Sequence, residues 1–110
     1  MKDYKVDKES FSESFRKEVY EVVSQIPVGK VSTYGGIALL LGAPQCSRMV
    51  GRALKEVPDE LSIPCHRVVH YTARMVPGWV EQKQLLLAEE VSFKANGCVN
   101  LKEHLWHVDE

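Results

Sequence analysis

Proline and glycine cut this chain into pieces too short for anything but small elements. Breaks fall at Pro27 and Gly29, at Gly42 and Pro44, at Pro58, at Pro64 and at Pro77-Gly78. Proline lacks the N–H that a helix interior needs, and it pushes the residue before it out of the helical region. The stretches between breaks are periodic. Phe11, Phe15, Val19, Val22, Val23 and Ile26 recur at helical spacing, predicting an amphipathic helix over residues 11–25. Ser10 and Glu13 have capping-box spacing at its start. Ser32 reads as the N-cap of a second helix, Thr33 to Leu41, with Ile37, Leu39, Leu40 and Leu41 as its apolar side. A third helix is expected from Gln45 to Val57. Its Met49, Val50, Ala53 and Leu54 would face inward, and Ser47, Arg48, Gly51, Arg52 and Lys55 outward. Two short helices around a Gly-containing turn, the second one basic, make a helix-turn-helix candidate; the same spacing fits an ordinary helical hairpin equally well.

The remainder is less regular. Arg67 to Val76 is expected to form a short hairpin, ended by Pro77-Gly78. Val80, Lys83, Leu86, Leu87 and Glu90 predict a fourth helix from Trp79 to Glu90. Asn96-Gly97 between two apolar stretches is a hairpin signal, here a two-stranded wing. The expected fold class is mainly α with a small β wing: a winged-helix-like domain over residues 10–110, containing the helix-turn-helix, behind a loose segment 1–9.

Composition narrows the function. The chain has 110 residues, 45% apolar and 26% charged, as one soluble domain requires. No apolar run approaches a membrane span, and the N-terminus leads into no apolar signal core. Three cysteines without a Cys-x-x-Cys pair point to a reducing compartment, so the cytoplasm is expected. The net charge of −1 is unevenly spread. Between Val28 and Met75, six basic residues (Lys30, Arg48, Arg52, Lys55, Arg67 and Arg74) face three acidic ones, Glu56, Asp59 and Glu60. A basic middle between acidic ends is compatible with a phosphate-binding face.

The chemistry-bearing stretch is Ile63-Pro64-Cys65-His66-Arg67-Val68-Val69. A thiol attacks as thiolate, and a free one has a pKa near roughly 8.5, so it needs a base or a cation beside it. A cysteine next to a histidine is weak evidence alone, since cysteine is often simply buried.

The series Ile26-Pro27-x-Gly29-x-Val31-Ser32-Thr33-Tyr34-Gly35, Arg48-x-Val50-Gly51, Pro64-Cys65-His66-Arg67-Val68 and Leu86-x-x-x-Glu90 resembles the DNA-binding, active-site domain of the O6-alkylguanine-DNA alkyltransferases. The similarity runs over about residues 11–110 without that family's separate N-terminal domain, as in the small alkyltransferase-like proteins. The resemblance implies that Cys65 accepts the alkyl group, that His66 relays the thiol proton through a water, and that Glu90 orients His66. Tyr34 would help turn out the nucleotide, Arg48 would fill the vacated stack, and Lys83 would stand near the tyrosine. Val68 would offer its carbonyl to the guanine's exocyclic amine. Ser47, Arg48 and Gly51 lie on the helix that would enter the minor groove. The implied partner is double-stranded DNA containing O6-alkylguanine, with other repair proteins as further partners, no membrane, and a monomeric protein. No cofactor is expected, because thiol, base and leaving group supply the reaction. No metal is expected either: Cys98, His104 and His107 are loosely spaced, whereas zinc takes four ligands in a tighter pattern.

The chain also departs from the family. Active transferases usually carry asparagine eight residues before the cysteine, where Val57 stands. The usual Asn-Ser-x-Gly-Arg turn reads His70-Tyr71-Thr72-Ala73-Arg74, the Gly-rich loop shrinks to Pro77-Gly78, and Arg52 replaces a small residue. Alkyltransferase-like proteins mostly carry tryptophan at the position of Cys65. The expected function is a methylated-DNA–protein-cysteine methyltransferase that moves an alkyl group from O6-alkylguanine to Cys65 once per molecule. The alternatives are an alkyltransferase-like protein that binds and flips the lesion without transfer, and a winged-helix regulator with an inert Cys65.

Overall fold

The computed structural model describes residues 8–108, with side chains over 13–108. Most of the expected loose segment 1–9, and the Ser10 side chain of the expected capping box, lie outside the described residues. The helix backbone already begins at Lys8, ahead of Ser10. The chain is mainly helical with one small two-stranded sheet, and it groups into two compact units: residues up to Gln25 with Tyr34–Ile63, and Ile26–Thr33 with the residues from Pro64 onward.

The first unit is three helices: α1 (Lys8–Val23), α2 (Tyr34–Leu40) and α3 (Ser47–Lys55). Phe15, Val19 and Val23 from α1 are buried, as are Ile37 and Ala38 from α2 and Val50, Ala53 and Leu54 from α3. Fully burying an aliphatic side chain of this kind contributes about 1.5–3 kcal/mol. Tyr20 donates its hydroxyl to the Ala53 carbonyl at 3.1 Å, tying α1 to α3. Helix α2 closes with a Schellman cap. Gly42 takes φ +75°, Ala43 N–H reaches the Ala38 carbonyl (2.9 Å), and Gly42 N–H the Leu39 carbonyl (3.0 Å). Pro44–Cys46 adds one 3-10 turn, and α3 follows. Two expectations are corrected here. Ser32 lies in a strand rather than capping α2, and Leu39 and Leu40 are exposed, because the inward stripe of so short a helix ends on Ile37, Ala38 and Leu41.

The second unit holds strands β1 (Ser32–Thr33) and β2 (Val68–Val69), which pair in parallel with Ser32 opposite Val68. Val31 forms a parallel bridge to Leu105. Its N–H donates to the His104 carbonyl and its own carbonyl accepts from Trp106 N–H, both at 2.8 Å. Helices α4 (Glu81–Ala88) and α5 (Leu101–His104) complete the unit. Val31, Val69, Ala73, Leu86, Val91 and Val99 form its core. The hairpin expected over 67–76 is not a strand pair, because β2 spends its ladder on β1. Only the tight turn survives: Ala73 N–H reaches the His70 carbonyl (2.7 Å) and His70 N–H the Arg74 carbonyl (3.2 Å). The wing likewise shrinks to a single antiparallel bridge, Phe93 with Val99, around the Asn96-Gly97 turn.

Candidate functional site

In the first unit, α3 carries Arg48, Arg52 and Lys55, all exposed and spaced to share one face. Arg52 and Lys55 in the last turn complement the helix dipole, whereas Arg48 in the first turn opposes it. Among the described residues, Arg48 has no ion-pair partner, while the nearby Glu56 is occupied by Arg16 at 3.2 Å. Ser47 opens α3 and is half-buried. Gly51 lies against the Tyr34 ring: a Cβ there would sit 3.8 Å from Tyr34 Cδ1 and Cε1. The missing side chain thus leaves the aromatic ring of α2 close to the backbone of α3.

In the second unit, Cys65 opens a 3-10 turn, Cys65–Arg67, that runs straight into β2. Burial pushes its thiol above the ordinary value, partly opposed by a backbone hydrogen bond. His66 Nε2 lies 2.8 Å from Glu89 Oε2. Arg67 grips the same carboxylate with both arms, Nε to Oε1 at 3.0 Å and Nη2 to Oε2 at 2.8 Å, and donates Nη1 to the Ile26 carbonyl at 2.9 Å. The Arg67 bonds, followed by His66, hold the Glu89 carboxyl down at about 2 against the desolvation of its site. A neutral His66 that donates Nε2–H to this fixed anion keeps its lone pair on Nδ1.

The carboxylate is therefore Glu89 and not Glu90, which corrects the sequence expectation. A second Schellman cap explains the difference. Glu90 N–H bonds the Leu87 carbonyl and Val91 N–H the Leu86 carbonyl, both at 3.0 Å, and Glu90 takes φ +65°. That reversal leaves Glu89 half-buried and Glu90 exposed. Lys83 is exposed, with Nζ 5.3 Å from the Phe93 ring centroid.

One residue of the site escaped sequence reading. Gln82 is fully buried, donates Nε2 to the carbonyls of His66 (3.2 Å) and Val68 (3.1 Å), and accepts the Val76 N–H at 2.7 Å. Val68, expected to present its carbonyl to a base, lies fully buried in β2 with that carbonyl engaged by Gln82. His104, weighed above as a metal ligand, instead places Nδ1 2.9 Å from the Gly29 carbonyl and takes the Ser92 N–H on Nε2 at 3.0 Å.

A helix-turn-helix with a basic second helix, together with a thiol beside a carboxylate-held histidine, is the equipment of a DNA-alkylation repair domain. The sequence profile described as "6-O-methylguanine DNA methyltransferase, DNA binding domain" matches residues 14–92, and the chain belongs to that family. The "DNA base-flipping protein" of Escherichia coli is 40% identical over 106 residues, covering 94% of this chain and 80% of that protein. "Alkyltransferase-like protein 1" of Schizosaccharomyces pombe is 36% identical, covering 86% and 95%. A methylated-DNA–protein-cysteine methyltransferase of Mycolicibacterium paratuberculosis is 37% identical but matches 69% of this chain and 47% of its own length. Among solved structures, Schizosaccharomyces pombe Atl1 in complex with damaged DNA containing O6-carboxymethylguanine superposes with a TM-score of 0.76, at 35% identity, covering 86% of this chain and 96% of that one.

Proposed function

We propose that this protein binds DNA carrying O6-alkylguanine and turns the modified base out of the duplex without taking up the alkyl group, as an alkyltransferase-like lesion binder. The observation that carries the reading is the nearly full-length match to base-flipping and alkyltransferase-like proteins, against a match to half of a transferase. Extrusion of a base costs a few kcal/mol. Arg48 offsets part of it by entering the stack, and Tyr34 by receiving the nucleotide. Arg52 and Lys55 contribute the salt-dependent attraction to phosphates. The raised thiol of Cys65 agrees with a residue that lines the lesion site rather than attacking it.

A second reading is favoured by one specific feature: a thiol directly before a histidine whose Nε2 is held by Glu89. In that reading an S–C bond forms at Cys65, the C–O bond to guanine breaks, and the thiol proton leaves through His66. One experiment decides between them. Duplexes with O6-methylguanine or guanine are titrated against the protein, and its intact mass is then measured. Preference for the lesion at unchanged mass supports the binder. A gain of about 14 Da on Cys65, one methyl on a single nucleophile, replaces it by the transferase. Equal affinity for both duplexes at unchanged mass refutes both.

A further inference from the structure

The side chain of Gln82 hydrogen-bonds backbone groups of two segments, Cys65–Val68 and the loop that follows β2. Its two amide hydrogens go to the carbonyls of His66 and Val68, on either side of Arg67. Its oxygen takes the N–H of Val76, on the far limb of the loop that follows β2. A fully buried amide satisfies its hydrogen-bonding capacity or destabilises its surroundings, and here a single side chain satisfies three backbone groups at once. The anchor itself is rigid, because Gln82 sits on the same face of α4 as the buried Leu86, one turn away.

We propose that Gln82 is a positioning residue for lesion recognition: it fixes the direction of the His66 and Val68 carbonyls and tethers the 70–78 loop to them. This rests on the reading that the Cys65–Val68 segment faces O6-alkylguanine. With the backbone held on either side of Arg67, the Cys65–Val68 segment presents one fixed surface to a base, and a base that meets it out of line loses its hydrogen bonds steeply. A loop released from its tether samples several positions and forms a less selective wall. The basic face of α3, which attracts any DNA, makes no use of Gln82. Lesion preference and general DNA affinity therefore separate.

The test uses the full chain with Gln82→Met, which keeps the length and removes every hydrogen bond, and Gln82→Glu, which keeps the acceptor for Val76 and removes both donors. Affinities for an O6-methylguanine duplex and its guanine counterpart are measured at one salt concentration, with amide exchange of Val76 in the free protein. The expected result is about a tenfold loss of lesion preference in both variants, with affinity for the undamaged duplex within about twofold. Val76 exchange accelerates in Gln82→Met only. Unchanged preference in either variant overturns the proposal, and a parallel fall in both affinities reduces Gln82 to a folding role. A wild-type protein with no lesion preference removes the function on which the proposal rests. Val76 exchange, read without DNA, then still reports whether the tether exists.

Discussion

Replacing Glu89 by Gln tests the assignment of the carboxylate most directly. The side chain is 15% exposed and accepts from Arg67 twice and from His66 once. Its carboxyl is held at about 2, against an ordinary value near roughly 4.3. A displacement of that size corresponds to about 3 kcal/mol of stabilisation of the folded state by the anion. A folded-state value below the unfolded one means that this stabilisation is present above the unfolded value and disappears as pH falls from about 4.3 toward about 2. Glu89→Gln also removes the charge that pairs with the Arg67 guanidinium, 14% exposed, and sets an NH2 donor in place of one of its two acceptor oxygens. The expected loss at pH 7 is about 3 kcal/mol, on the order of 10 °C in the melting temperature of a chain this size. The exposed Glu90→Gln should stay within about 0.5 kcal/mol. Thermal melts followed by circular dichroism from pH 7 to pH 2 would show the wild-type and Glu89→Gln curves converging at the acid end. A larger loss from Glu90→Gln than from Glu89→Gln, or a constant gap across that range, would refute the reasoning.

Three other outcomes are expected. Glu90→Gly should raise stability by about 0.5–1 kcal/mol in the same melts, since a side chain at φ +65° is strained and Glu90 is exposed. A loss would show that the Glu90 side chain has a partner of its own. Lys55→Ala should lower affinity for damaged and undamaged duplexes alike and reduce the salt slope by about 0.9, while Arg48→Ala should also erase lesion preference. Equal effects of the two substitutions would leave Arg48 an ordinary phosphate contact. Cys65 should react with iodoacetamide more slowly than free cysteine at pH 7.5 and accelerate as pH rises, because burial raises its thiol. Faster modification than free cysteine, mapped by mass, would mean an activated thiol.

How far the chain could be read without coordinates depended on whether glycine marked its turns. The end of α2 was legible because Gly42 occupies the left-handed position of its cap. The end of α4 uses the same cap with Glu90 in that position, so nothing in the sequence announced it. The phase of α4 was obscured further by Leu85-Leu86-Leu87, three leucines that fit any face. Its actual inward residues include Gln82 and Glu89, polar groups that a hydrophobic pattern overlooks. Glu90 was misplaced by that single residue of phase. The turn at 70–74 shows the reverse. It lacks the expected Asn and Gly, yet Ala73 adopts φ +70°. Its methyl group is buried in the core with Val69 and Leu86, which offsets the strain.

The bridge from Val31 to Leu105 also determines when each part of the molecule is complete. It closes a loop of about 74 residues, whose ends meet against an entropic term on the order of 4 kcal/mol. Contacts so distant along the chain form slowly, and a polypeptide emerging N-terminus first cannot make this one until Leu105 has emerged. The unit that holds helices α1 to α3 contains no residue beyond Ile63. During synthesis the cationic helix α3 is therefore available before the bridge that completes the unit around Cys65 can close.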